Sequence, residues 1–213
     1  MNSTNILQIG IAGVATLLAA CSYDAGLRTD YFDEAVAVEP PSAPVDGGAA
    51  VVMSDEDERE IVSVSAASVV GGGVILNLPL HRIVKEAAVE SFEPVLTAGV
   101  LSVSDEQAPA GQEYVVTPTP LAYRFYYEQQ PSGLGHTPYV TMSVHVRVAA
   151  ADGEGILDET YDVEDYPLET IYFGNVSEGV NRGTHVIARQ LMSLAANDFT
   201  AAIRAYEAGV ARK

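Results

Sequence analysis

An alternating run of apolar and polar residues in the second half of the chain constrains the fold more than any other feature. From residue 140 to residue 148, every second side chain is apolar and the intervening side chains are polar. A period of two is typical of a β-strand with one buried face and one face in water. The apolar residues are Val140, Met142, Val144, Val146 and Val148, and they alternate with Thr141, Ser143, His145 and Arg147.

Further segments are predicted to join this strand in a sheet. Residues 114–127 alternate in their second half, while Pro118 and Pro120 place the first half at a sheet edge or a bulge. Asp152-Gly153 is a tight-turn signal, so we expect a hairpin between the alternating strand and residues 156–163. Shorter strands are predicted at residues 51–53, 61–65 and 100–103.

Two amphipathic helices are predicted to cover the apolar face of the sheet. The first spans residues 79–96, because Pro79 suits a first helical turn and Pro94 terminates or kinks a helix. The second spans residues 183–208, with Asn181 or Thr184 as its cap. We therefore predict an α+β domain whose mostly antiparallel sheet carries two helices on one face. The predicted apolar stripes are Leu80, Ile83, Val84, Ala87, Ser91 and Val95, and Ile187, Leu191, Leu194, Ala195, Ala202, Ile203 and Tyr206.

The N-terminus carries an export signal. Residues 6–20 form an uncharged apolar run that is shorter than the roughly 20 residues needed to cross a bilayer, which fits the core of a signal peptide. The run ends at Leu18-Ala19-Ala20-Cys21, and Cys21 is the single cysteine of the chain. A lone cysteine in an exported protein cannot form an internal disulfide.

This motif resembles the lipobox of bacterial lipoproteins. The resemblance implies that the Cys21 thiol receives a diacylglyceryl group, that the chain is cleaved before Cys21, and that the protein is anchored to a membrane by lipid. Ser22 follows the cysteine, and the family's sorting rule then favours the periplasmic face of the outer membrane. One departure is that residues 1–5 contain no Lys or Arg, whereas signal peptides usually begin with basic residues.

Residues 22–50 have the composition of a tether. They hold three prolines, a Gly-Gly pair and six acidic residues against one base, Arg28, without any periodic pattern. Such a segment is expected to stay extended and solvated. Tyr31 and Phe32 are the exception, and either dock on the domain or are incidental. We therefore predict a signal peptide at 1–20, a lipidated cysteine with a disordered tether at 21–50, and one periplasmic domain at 51–213.

The composition excludes some partners. The chain has 29 acidic and 11 basic residues and a formal net charge of −18, so nucleic acid is not expected as a ligand, nor an anionic lipid surface bound through a basic patch. The four histidines lack zinc-site spacing, and the acidic stretch at residues 152–169 lacks the order of a calcium loop. We predict no metal, no cofactor and no catalytic residues.

One strand carries a candidate interaction surface. In the run from Tyr123 to Tyr127, alternation sends Tyr123, Phe125 and Tyr127 to one face. Arg124 and Tyr126 point to the other, where an aromatic ring beside a cation suits a lipid, a glycan or a protein. The alternative is that tyrosines are common in strands for packing reasons alone.

The layout as a whole resembles small outer-membrane lipoproteins, including the auxiliary lipoproteins of bacterial lipid-transport systems. The likeness rests on residues 77–103, the strand at 140–148 and the closing helix at 184–206. It implies a non-enzymatic accessory or scaffold role in an envelope protein complex, with lipid transport as one such process. Two alternatives stay open, namely a lipid- or ligand-binding lipoprotein with an apolar cavity, and an envelope hydrolase that uses paired carboxylates.

Overall fold

The computed structural model describes residues 21–35, 43–67, 74–104, 111–172 and 175–210. The predicted signal peptide lies outside these ranges. Among the described residues, no helix is long and apolar enough to cross a membrane. The strands are β1 (Cys21–Asp24), β2 (Ala49–Val52), β3 (Val62–Ser65), β4 (Val74–Leu78), β5 (Val100–Val103), β6 (Tyr114–Gln129), β7 (His136–Ala150) and β8 (Gly155–Pro167). The α-helices are α1 (Asp55–Arg59), α2 (Leu80–Phe92) and α3 (Val176–Val210).

The strands form two sheets, which confirms the predicted α+β class, and both sheets are mixed, with parallel as well as antiparallel neighbours. The larger sheet has the order β5-β2-β6-β7-β8, in which β6, β7 and β8 are antiparallel neighbours. Strand β2 runs parallel to both β5 and β6. Parallel neighbours need a long crossover connection, and α1, β3, β4 and α2 supply it between β2 and β5. The smaller sheet has the order β1-β4-β3, with β1 parallel to β4.

The core lies between the larger sheet and the helices α2 and α3. All five apolar residues of the alternating β7 strand are fully buried, as predicted, and the stripe from Leu80 to Val95 on α2 and the turn after it is buried too. On α3, Ile187 and Leu191 are buried, but Leu194 and Tyr206 are exposed, so the predicted stripe on this helix is only partly correct. Aromatic rings fill one end of the core, where Phe199 contacts both Phe92 and Tyr114.

Helix α3 begins seven residues earlier than its glycines suggest. The side chain of Asn175 accepts a hydrogen bond from the Ser177 backbone N–H at 3.0 Å, so the helix starts there and not at Asn181 or Thr184. Gly179 and Gly183 lie inside the helix. Glycine is needed at these two positions because the side chains of Ile171 and Leu168 occupy the space that a Cβ would need. These glycines are packing positions, and neither breaks the helix.

Leu121 departs from the predicted alternation of β6. The pairing of β6 with β7 shifts register between Pro120 and Ala122, which places a bulge at Leu121 and leaves this side chain 58% exposed. Beyond the bulge the prediction holds, because Phe125 and Tyr127 are buried and Arg124 is exposed.

The described parts of the predicted tether are packed on the domain, which corrects the expectation for residues 22–50. Strand β1 begins at Cys21 and pairs with β4, and β2 begins at Ala49. Between them, a 3-10 helix at Thr29–Glu34 buries Tyr31 and Phe32 against α3. The regular elements described before Ala49 are a four-residue strand and a short 3-10 helix, which are too short to show a period. Among the described residues, the folded domain therefore extends back to Cys21.

The buried face of β7 should be intolerant of charge. We expect Val144→Asp to lower the free energy of unfolding by roughly 3–5 kcal/mol, because it places an unpaired carboxylate in the core. The matched control is Leu121→Asp at the exposed bulge, which should change stability by less than about 0.5 kcal/mol. Urea unfolding measures both, and equal losses in the two variants would contradict the assignment of the faces.

Candidate functional site

The two predicted surface residues both lie on the outer face of the larger sheet. Arg124 donates from Nε to Thr141 Oγ1 at 3.1 Å and from Nη2 to Asp165 Oδ1 at 3.2 Å. Tyr126 stacks on its cross-strand neighbour Tyr139, with ring centroids 4.9 Å apart and planes within 4°. The arginine is therefore held by a carboxylate, and the available part of this surface is the tyrosine pair. Both tyrosines are partly exposed.

The turn between β6 and β7 extends this aromatic surface with an exposed leucine. Leu134 is 67% exposed and lies between Gly133 and Gly135, whose φ angles of 73° and 83° favour glycine. The backbone N–H of Leu134 donates to Ser132 Oγ, and two further backbone hydrogen bonds close the turn around Gln130. A well-formed turn thus holds the leucine side chain outward.

Tyr172 lies directly beside this turn. A Cβ on Gly135 would come within 2.9 Å of the Tyr172 ring, so the ring packs against the bare backbone of the glycine. The preceding residue, Ile171, pairs with His136 at the start of β7. Tyr172 is 60% exposed, so two exposed apolar side chains, Leu134 and Tyr172, lie next to Gly135 at the end of the hairpin and form the apolar patch of this region. The sequence signal for this patch is a leucine between two glycines in a hairpin turn.

The N-terminal segment reaches the same end of the molecule through Glu178 in the first turn of α3. The hydroxyls of Tyr23 and Tyr31 each donate a hydrogen bond to one oxygen of the Glu178 carboxylate. Gly179, the next residue of α3, packs against Ile171. We use the term hairpin end for the region made of Cys21, residues 130–135, Tyr172 and the first turn of α3.

A buried histidine completes the attachment of the N-terminal segment. His185 is fully buried on α3, and its ring contacts Tyr31 and Phe32 with centroids 5.5 and 5.3 Å away. Nε2 accepts a hydrogen bond from the Arg28 backbone N–H at 3.0 Å, so the ring proton lies on Nδ1, which bonds the Asn181 carbonyl at 2.8 Å. Burial lowers the pKa of His185 to about 4. This histidine is a neutral structural contact.

A second candidate site lies away from the hairpin end. It is a cavity of about 630 Å³ whose edge carries a small cluster of Asp57, Glu60 and His81. Their ligand atoms lie within 4.8 Å of one another, and these residue types can bind divalent cations. However, Asp57 is already engaged by Ser54, the N-cap of helix α1. The Ser54 hydroxyl accepts a hydrogen bond from the Asp57 backbone N–H and donates one to the Asp57 carboxylate. His81 Nδ1 lies 3.3 Å from Glu60 Oε2, which is an ion-pair distance. The cavity itself is lined by a mixture of polar and small apolar side chains, including Asp57, His81, Thr117, Thr119 and Arg147.

Comparisons with known proteins support the fold. No protein-family model matches the chain, and a search of curated proteins finds no match. Protein XCC0632 from Xanthomonas campestris, of family DUF330, has a TM-score of 0.56 at 14% identity, over 88% of this chain and 98% of that chain. This likeness shows a shared fold.

Two further solved structures are less similar. A PelC dodecamer from Paraburkholderia phytofirmans has a TM-score of 0.42 at 12% identity, over 76% of this chain and 94% of that chain. Rare lipoprotein B from Shewanella oneidensis has a TM-score of 0.29 at 11% identity, over 76% of this chain and 98% of that chain. These scores are too low to support an argument about the present chain.

The attachment of the N-terminal segment should weaken in acid. Because burial lowers the folded-state pKa of His185 to about 4 from an ordinary 6.5, the unfolded chain binds a proton between these pH values that the folded protein does not. The neutral ring of His185 therefore makes its full contribution to the free energy of unfolding above about pH 6.5. This contribution falls by up to about 3 kcal/mol as the pH is lowered towards 4.

Urea unfolding at pH 7 and pH 5 measures this dependence, with His185→Gln as the control. Glutamine keeps a hydrogen-bond acceptor but does not titrate, so the variant should lose less stability between the two pH values than the unsubstituted protein. An identical pH dependence in both proteins would contradict the assignment of a buried neutral imidazole.

Proposed function

We propose that the protein is a lipoprotein of the outer membrane, anchored at the periplasmic face by lipidated Cys21. There it serves as a non-enzymatic accessory or scaffold component of an envelope protein complex. The observation that carries the proposal is that Cys21 lies in β1, which pairs with β4 in the folded domain. The residue that the lipobox resemblance marks for lipidation is thus part of a strand of the domain.

The position of Cys21 has a physical consequence for such an anchor. Two or more acyl chains hold a protein stably in a bilayer, since each buried methylene contributes about 0.8 kcal/mol. A domain that holds the anchor residue in one of its own strands has little freedom to search away from the membrane. It would be held at one height and in a narrow range of orientations, at a raised effective concentration for membrane-bound partners. This is the arrangement that a scaffold component needs.

The exposed surface of the domain supports binding rather than catalysis. The hairpin end presents Leu134 and Tyr172 to the outside, next to the Tyr126–Tyr139 stack, and exposed apolar clusters of this kind are typical of interaction sites. Strand β8 forms one edge of the larger sheet, and its acidic side chains protect that edge from uncontrolled strand pairing.

The two alternative functions find less support. A lipid carrier needs an apolar cavity between sheet and helices, but the middle of that interface is filled by residues such as Phe125, Met142 and Met192. A cavity of about 450 Å³ lies between the sheet and the C-terminal part of α3, beside Tyr114, Ile156 and Ile203. A hydrolase with two carboxylates needs a pair that converges on one pocket. Burial raises the pKa of Glu90, but Glu90 does not line the cavity that contains Asp57 and His81.

Lipidation can be tested directly at Cys21. Metabolic labelling with a fatty-acid analogue should mark the unsubstituted protein, and Cys21→Ala should lose the label and remain unprocessed, because alanine has no thiol acceptor. The matched control is Ser22→Ala, which leaves the thiol in place and should keep the label. Persistent labelling of Cys21→Ala would contradict the lipoprotein assignment.

The accessory role is tested by releasing the domain from the membrane. The signal and Cys21 are replaced by a cleavable, non-lipidated signal, and the thermal melt is used to check that the soluble domain is folded. We expect this soluble form to fail to complement a deletion strain at native expression. Full complementation would contradict a membrane-bound scaffold and would favour a diffusible carrier or enzyme.

A further inference from the structure

We infer that the hairpin end is a membrane-contact surface, in which Leu134 and Tyr172 enter the interfacial layer of the bilayer that holds the lipidated Cys21. The inference rests on the proposed function, because it takes Cys21 to be the anchor. It adds a second point of attachment, formed by side chains of the folded domain.

Cys21 lies in the half of the molecule that carries the β6–β7 turn. Cys21 pairs with Val74 at the beginning of β4, and on the other side of β4 the backbone N–H of Ala67, just after β3, donates to the Phe125 carbonyl at 2.9 Å. Phe125 is four residues from the end of β6, where the turn begins. Tyr23 also reaches this end, through its hydrogen bond to Glu178.

The hairpin end presents apolar side chains that no described part of the chain covers. Leu134 and Tyr172 are 67% and 60% exposed and lie on either side of Gly135. The turn is closed by backbone hydrogen bonds, so the leucine is held outward before any contact is made. Little conformational entropy would therefore be lost when these side chains enter a bilayer.

A pair of stacked tyrosines lies next to the turn, on the outer face of the sheet. Tyr126 and Tyr139 stack three residue pairs from the end of the strands, about 10 Å from the turn. Tyrosine is enriched at the level of lipid headgroups, because its ring is apolar and its hydroxyl is polar. With Leu134 about 5–10 Å inside the headgroup boundary, this stack would lie at or just above the headgroups.

The charge of the molecule decides what kind of lipid contact is possible. The formal net charge is −18, and the exposed residues near the turn include Glu128 and Glu169. Such a surface gains nothing from anionic lipids, whereas apolar insertion into zwitterionic lipids has no electrostatic requirement. The contact should therefore be insensitive to ionic strength.

The absence of tryptophan from the sequence makes a specific test possible, since any introduced tryptophan is the single one in the protein. We would prepare the full lipidated protein as Leu134→Trp, Tyr172→Trp and, as the matched control, Leu101→Trp, in phosphatidylcholine and phosphatidylethanolamine vesicles with and without brominated acyl chains. Leu101 is 48% exposed on β5, level with Val115 and about 45 Å along the sheet from the turn.

We expect all three variants to float with the vesicles, because the lipid anchor is unchanged. Tryptophan at residues 134 and 172 should show blue-shifted fluorescence, because its ring lies at the depth of the upper acyl chains. In vesicles with brominated acyl chains, the fluorescence intensity should fall by roughly half, because bromine quenches a ring at that depth. These signals should be the same in low and high salt. Tryptophan at residue 101 should keep the emission of a water-exposed ring.

A second measurement removes the concern that tryptophan itself drives insertion. Hydrogen exchange of residues 130–135 in the unsubstituted protein should slow on vesicles, while exchange of β5 is unchanged. The reference is the non-lipidated domain in solution, which carries Cys21→Ser and is produced without residues 1–20. The variants could float with the vesicles but keep the fluorescence of a water-exposed tryptophan at residues 134 and 172, or the hydrogen exchange of residues 130–135 could stay unchanged. Either result would overturn the contact surface and leave the anchor intact. Failure of the unsubstituted protein to float would instead overturn the proposed function.

Discussion

The attachment of the N-terminal segment to α3 is the interaction on which the geometry of the molecule depends. Tyr31 and Phe32 pack around the neutral ring of His185, and two tyrosine hydroxyls share the Glu178 carboxylate. These contacts join residues more than 140 positions apart in the chain and hold β1 and the segment after it against α3. Because Cys21 lies in β1, the same contacts determine which end of the domain a lipid anchor would bring to the membrane.

The periodic parts of the fold could be predicted from the sequence. The alternation of β7 identified a buried face that the structure confirms residue by residue, and the stripe on α2 identified the helix that covers it. The Asp152-Gly153 turn and the short strand β5 were also correct. In each case, one element buries a regular pattern of side chains against a single layer, so local periodicity contains the required information.

The irregular parts could not be predicted, for identifiable physical reasons. Residues 21–35 fold through contacts with α3 and β4, which no local pattern reveals. The bulge at Leu121 reverses one side chain in an otherwise regular strand, and Gly183 is retained inside α3 because Leu168 needs its space. Of the candidate site, sequence reasoning found Tyr126 but missed Leu134 and Tyr172. Their proximity depends on a contact between a turn and a distant segment.

In the proposed arrangement, the anchor residue Cys21 lies in a strand of the folded domain, and the hairpin end meets the membrane. Neutron reflectometry of the lipidated protein on a supported zwitterionic bilayer tests this most directly. We predict a protein layer that starts at the headgroups and extends for about 50 Å, the length of the 16-residue strand β6. A water-filled layer of roughly 30 Å between headgroups and protein, as a flexible tether at residues 22–50 would produce, would contradict the claim.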